Sequence, residues 1–125
     1  MSHMLIVGIG GFVGSIARYW LSGIAQRWIQ SEFPLGTLLV NVVGCFAIGA
    51  FWSLVEYREY FSPEQRIFLT MGVLGGFTTF SAFGYETFML LKDNQYLPAL
   101  ANVVANVLVG LIAVAFGWMA VKAFA

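Results

Sequence analysis

Gly72-Val-Leu-Gly75-Gly76-Phe77-Thr78-Thr79-Phe80-Ser81-Ala82-Phe83 gathers glycines, hydroxyls and phenylalanines where an ordinary apolar helix carries Leu, Ile and Val. Aromatic ring edges are electropositive, so Phe80 and Phe83, one helical turn apart and set among Thr78, Thr79 and Ser81, suit a small anion. The glycines invite the backbone to unwind, because each costs about 1 kcal/mol relative to Ala inside a helix. Unwound backbone at membrane depth must be buried in protein, line a wet cavity or hold an ion. Freed carbonyls at such a break are ligands for a hard cation.

Further polar groups recur at helical spacing. Thr37, Asn41 and Cys45 lie four residues apart, with Gly44 on the same face; Asn102, Asn106 and Gly110 repeat the pattern later. A single Asn of this kind serves as hydrogen-bond glue between helices, at about 1 kcal/mol per contact. Two such stripes beside a hydroxyl-rich break are expected to line a conduit whose amide and hydroxyl groups carry no formal charge. Glu86, one turn beyond Phe83, is the one acid well inside an apolar run, and an intramembrane acid is a functional candidate. Arg18 is the one base inside a run; it either snorkels toward Tyr19 and Trp20 or concentrates anions in a vestibule through its field. The two roles are compatible.

Apolar helices must position these groups. Of 125 residues, 60% are apolar and 10% charged, with six acids balanced by six bases. Mean hydropathy is +0.84. Such a chain cannot furnish the charged surface of a soluble domain and reads as an all-α membrane protein. A hydrocarbon core needs roughly 20 apolar residues per helix. Four runs qualify: about Met4 to Trp28, Leu35 to Val55, Arg66 to Leu91 and Leu97 to Ala123. They form one transmembrane domain over 4–125. Met1-Ser2-His3 reads as a cloning remnant, which removes the sole histidine from consideration, and the first run is too long and lacks the basic leader of a cleaved signal. Pro34 suits the first turn of the second helix, and Ser62-Pro63-Glu64-Gln65 reads as a capping box opening the third. Cys45 is alone, so neither a disulfide nor a zinc site is expected.

The segment Val7-Gly8-Ile9-Gly10-Gly11-Phe12-Val13-Gly14 imitates a dinucleotide-binding turn. It lacks the strand and βαβ unit that such a turn requires. Close helix packing through Gly10 and Gly14 is the better account, and neither nucleotide nor nucleic acid is an expected partner. Topology is weakly specified. Arg58, Arg66 and Lys122 fall on one side and Arg27 and Lys92 on the other, with Arg18 nearby. A near-equal count of bases barely selects an orientation, and insertion both ways up permits a two-fold antiparallel dimer. A second copy would also cover Asn41, Thr78, Thr79, Ser81, Asn102 and Asn106, which cannot face lipid.

Together these motifs resemble the Fluc (CrcB) family of fluoride channels over essentially all of the chain after Met4. The matching pieces are Gly11-x-x-Gly14-x-x-x-Arg18-Tyr19, Gly36-Thr37-x-x-Val40-Asn41-x-x-Gly44, and Gly72-x-x-Gly75-Gly76-x-Thr78-Thr79-Phe80-Ser81-x-Phe83-x-x-Glu86. The resemblance implies a passive fluoride channel of the bacterial inner membrane rather than an enzyme. It implies a dual-topology antiparallel homodimer with two pores, each built from both subunits. Asn41, Phe80 and Phe83 would then contact the ion. Glu86 and Asn106 would belong to the pathway, supported by Thr37, Thr79, Ser81 and Asn102, and Arg18 to the vestibule. A central sodium ion held by backbone carbonyls of Gly75 and Thr78 is also implied. The family's TTFSTF reads with Ala82 in place of a threonine here, and Gly84 stands where serine is common. A proton-coupled cation exporter of the small multidrug type is the alternative; it wants an acid at mid-span, where this chain has only Glu86 toward the end of helix three.

Overall fold

The structure, a computed structural model, describes residues 2–124 and is built from helices of membrane-crossing length. Helix α1 (Ser2–Ile29) and helix α2 (Leu35–Arg58) are continuous. The third span, Pro63–Lys92, is interrupted, and the fourth is Tyr96–Phe124. All four are long and apolar enough to cross a membrane, as the apolar runs predict. At 1.5 Å per residue, α1 is roughly 42 Å long, more than the hydrocarbon core requires.

Side chains fix the connections. The Gln26 amide reaches out of α1 to donate to the carbonyls of Ser31 (2.6 Å) and Phe33 (3.2 Å), and its Oε1 accepts from the Gly36 N–H. Gln26 thereby ties three points of the first connection, and Ser31 Oγ accepts from Phe33 N–H within it. Pro34 is the residue before α2 rather than in its first turn; its carbonyl accepts from Leu38 N–H. Helix α2 stops at Glu59, whose left-handed φ of 52° lets its N–H return to Val55 O. The Ser62 capping box is present as expected: Ser62 Oγ accepts from Gln65 N–H and Gln65 Oε1 accepts from Ser62 N–H.

The third span starts as helix α3, over 63–77, which widens into π-helical turns over Phe68–Leu74 before tightening again at Gly75–Phe77. The chain then runs extended through Thr78 (φ −90°, ψ 159°) and Thr79 (φ −150°, ψ 120°), and helix α4 (Phe80–Lys92) follows. Helix α5 (Tyr96–Phe124) carries its own π-helical stretch at Ala105–Val109.

The expected break is therefore real, but the glycines do not make it. Gly72, Gly75 and Gly76 are all helical, and none of the described glycines has a positive φ. Two of them serve close packing instead. A methyl on Gly72 would lie 2.9 Å from the Cα of Gly10, and one on Gly76 would lie 2.7 Å from the carbonyl of Gly11. On the facing helix, Gly10 and Gly14 abut Gly72 and Val73, so the glycine pattern in α1 is a packing seam as expected. Two threonines make the break. Thr78 sends both its N–H and its hydroxyl to Leu74 O, each at 3.0 Å. Thr79 Oγ1 caps α4 by accepting from Ala82 N–H at 3.2 Å. Threonine side chains compete with helical backbone bonds in this way.

Helices α2 and α5 form the other close pair, where Gly49 faces the Val114 carbonyl and Gly117 the Phe46 carbonyl. Val40, Ser53 and Asn102 are fully buried, whereas Phe12, Trp20, Met71, Leu111 and Phe116 point outward. That outward apolar surface suits lipid. The chain is an integral membrane protein.

Candidate functional site: a cleft at the helix break

A cleft of about 430 Å³ opens where α2, the third span and α5 meet, lined among others by Asn41, Gly75, Thr78, Thr79, Phe80, Phe83 and Asn106. Seven of the residues singled out in the sequence thus converge, although they come from three spans. Phe83 is buried and Phe80 is 82% exposed. Their rings meet edge to face, with centroids 5.5 Å apart at 61°. Both residues line the cleft together with the polar groups of Asn41, Thr79 and Asn106, and a ring edge is the part of a phenylalanine that attracts an anion.

Asn41 has a more exacting task than supplying a free donor. Its Oδ1 accepts from Thr79 N–H at 2.9 Å, and its Nδ2 donates to Thr79 O at 3.0 Å and to Asn106 Oδ1 at 2.9 Å. The Asn41 oxygen replaces the Gly75 carbonyl that a continuous helix would have offered to Thr79 N–H, and its nitrogen adds a donor to Thr79 O, the carbonyl that opens the next helix. Backbone groups buried away from water must be paired, and Asn41 pairs them. Gly44, one turn on, leaves room for the Thr78 methyl.

The carbonyls of residues 75–78 lose their helical donors at this point. The Thr79 N–H that would reach Gly75 O is held by Asn41, and the Ala82 N–H that would reach Thr78 O is held by Thr79 Oγ1. Gly75 faces open space, since a methyl there would meet only Thr70 O, at 3.6 Å. Released carbonyls beside a residue without a side chain fit a hard cation such as sodium. The residues present thus agree with the cation site that the sequence resemblance implies.

The other candidates lie around this cleft. Arg18 lines a second cleft with Ser22, Thr37, Thr79, Ser81 and Tyr85, so Thr79 borders both. Glu86 sits behind Thr37, whose hydroxyl donates to Glu86 Oε1 at 2.8 Å; Oε2 is buried with no hydrogen-bond partner among the described residues. Asn102 lines neither cleft. It is 1% exposed and stands behind Asn106, giving Nδ2 to Thr87 Oγ1 at 2.9 Å and accepting from Asn106 Nδ2 at 3.0 Å. Thr87 and Gln26 were not singled out in the sequence. An i, i+4 step from Phe83 marks Thr87 only once Asn102 is known to face it. Ala82, where the family pattern has a threonine, lines the Arg18 cleft, and Gly84 faces open space.

A broken helix, released carbonyls and a ring pair beside neutral donors, set among four membrane-crossing helices, are features suited to an ion-handling membrane protein. The model of the CrcB-like proteins (Camphor Resistance, CrcB) matches residues 5–118. A relative from Methanosarcina acetivorans, named fluoride-specific ion channel FluC 1, is 48% identical over 94% of this chain and 88% of its own length. Fluoride-specific ion channel FluC of Pyrococcus abyssi is also 48% identical, over 92% of each chain. That of Methylobacillus flagellatus is 42% identical over 98% of this chain and 96% of its own. The chain belongs to the CrcB family.

Proposed function

We propose that this protein is a passive, electrogenic and fluoride-selective channel of the cytoplasmic membrane that lets fluoride leave the cell. The carrying observation is the cleft itself, in which the Phe80 and Phe83 ring pair lies beside Thr79 and the Asn41–Asn106 amides. Relatives at 42–48% identity that bear the fluoride-channel name support the same reading. Fluoride is small and strongly hydrated, so a pore must replace its water donors at short range. Hydroxyls of Thr79 and Ser81, ring edges, and Asn41 N–H groups released from Thr79 O or Asn106 Oδ1 are the groups this chain offers. Arg18 raises the local anion concentration at the mouth. A proton-coupled cation exporter is disfavoured, because Glu86 is turned to Thr37 and lies outside the aromatic cleft.

The functional unit in this reading is an antiparallel dimer with two pores. Exposed Phe80 and Gly75, in a cleft open to one side, support a covering second copy. Gly75 and Thr78 carbonyls would hold the sodium ion, which supplies a fixed positive charge that joins the two copies. In liposomes loaded with potassium fluoride, purified protein should release fluoride rapidly only when a potassium ionophore carries the compensating charge. Chloride should remain inside. Comparable chloride and fluoride release, or fluoride release that ignores the ionophore, overturns the reading.

A further inference from the structure

Five hydrogen bonds join six side-chain and backbone groups into one chain that leads away from the cleft into the helix packing. Thr79 N–H donates to Asn41 Oδ1 (2.9 Å), Asn41 Nδ2 to Asn106 Oδ1 (2.9 Å), and Asn106 Nδ2 to Asn102 Oδ1 (3.0 Å). Asn102 Nδ2 then donates to Thr87 Oγ1 (2.9 Å), and the Thr87 hydroxyl donates to Phe83 O (2.8 Å). Every link runs in the same sense, and both ends are fixed. Thr79 N–H can only donate, and Thr87, having given its single hydrogen to Phe83 O, can only accept from Asn102. Asn106 and Asn102 are thereby compelled to show oxygen toward the break and nitrogen away from it, while the Asn41 nitrogen is shared between Asn106 Oδ1 and Thr79 O.

We infer that Asn102 and Thr87 are positioning residues of the conduction pathway: they set the polarity of the amide relay that fastens the Thr79 break and the Phe83 turn of α4. Neither lines the cleft, and Asn102 is buried, so neither touches a permeating ion. Their effect passes through Asn106 to Asn41. Asn106 Nδ2 is also held by the Asn102 backbone carbonyl at 2.9 Å. If the Asn102 side chain turned over, Asn106 would lose its Oδ1 partner and oppose a nitrogen, or turn as well, and turning would set two nitrogens in opposition at Asn41 or release Thr79. Hydrogen-bond chains of a single sense also polarise and strengthen one another. The flux part of this inference rests on the channel reading above; the relay itself does not.

Thr87→Val keeps the shape and removes the hydroxyl, whereas Thr87→Ser keeps the hydroxyl and removes the methyl. The chain contains four asparagines, Asn41, Asn94, Asn102 and Asn106, so selective ¹⁵N labelling gives four side-chain amide pairs. In Thr87→Val the signals of Asn102, Asn106 and Asn41 should all move while Asn94 stays, and fluoride efflux should fall by roughly three- to tenfold, as loss of one interhelical hydrogen bond implies. Thr87→Ser should match the wild type in both respects. Movement confined to Asn102 overturns the relay, and a serine variant as impaired as valine returns Thr87 to packing. Shifted amides with wild-type efflux sever the relay from conduction. Should the valine variant not elute as folded protein, Asn102→Leu supplies the comparison, with the Asn41 amide again the signal that must move. If wild-type protein releases no fluoride the channel reading fails, and the relay is then judged on the amide signals alone.

Discussion

Phe80 and Phe83 share a cleft and an edge-to-face contact but differ in what the fold asks of them. Phe83 is 9% exposed and Phe80 is 82% exposed. Ile at either position retains most of the apolar volume, and such swaps usually cost less than about 1.5 kcal/mol. The cost should be smaller at Phe80, which buries little within one chain. A ring-edge role predicts that Phe80→Ile and Phe83→Ile elute like the wild type yet release fluoride far more slowly, with Met less damaging than Ile. Full efflux from both Ile variants would make the rings packing residues only. Asn41 is the second residue whose chemistry can be separated from its shape. Asn41→Asp keeps an oxygen for Thr79 N–H and loses the donors to Thr79 O and Asn106 Oδ1. Its carboxylate also repels an anion. Folded protein with efflux lowered by an order of magnitude or more is expected, on the scale that loss of a buried donor implies. Unaltered efflux in liposomes would remove Asn41 from the pathway.

At the scale of elements, the third span divides its labour between glycines and threonines. Gly76 faces α1 and Gly75 faces open space, although they are neighbours in sequence. Gly76→Val pushes a branched side chain at the Gly11 carbonyl and should destabilise the fold by about 1–3 kcal/mol, or prevent folding, as overpacking does. Gly75→Val puts its Cβ in ordinary contact with Thr70 O alone, at 3.6 Å, and sits at an ordinary helical φ of −63°. Its damage should appear in the dimer fraction and in the response to sodium, and not in the stability of the single chain. Thermal melts, cross-linking and efflux in sodium-free buffer separate these outcomes. Equal destabilisation by both substitutions would contradict the assignment of faces. The two π-helical stretches, Phe68–Leu74 and Ala105–Val109, flank the same cleft through Thr70, Leu74 and Asn106. Such widened turns frequently accompany functional sites, and the second of them carries Asn106, which meets Asn41.

For the molecule as a whole, the balance of bases at the two ends makes orientation the property most easily tested. Arg58, Arg66 and Lys122 oppose Arg27, Lys92 and Arg18. Impermeant thiol reagents should label a cysteine placed in the loop at Asn94, in a Cys45→Ser background, from both faces of the membrane in comparable amounts. Adding two lysines to that loop should bias labelling to one face and lower efflux, because antiparallel pairing needs both orientations. Labelling from one face only in the unmodified chain would exclude an antiparallel dimer.

Much of this was legible along the chain. Apolar runs separated by polar loops set four spans, because helix length is dictated by bilayer thickness. The capping box at Ser62 is a local interaction and could be read locally. Gly10 and Gly14 announced a packing seam, and the polar residues Thr37, Asn41 and Asn106 announced an interior. The sequence did not reveal which glycines pack and which open, since that depends on the helix lying opposite. It placed the break in the glycines, whereas Thr78 and Thr79 make it, because Asn41 stands 38 positions away and accepts the backbone that the threonines release. The sense of the amide relay was equally hidden. It requires Asn102 to meet Thr87 across two helices, and only the tertiary structure determines which donor faces which acceptor.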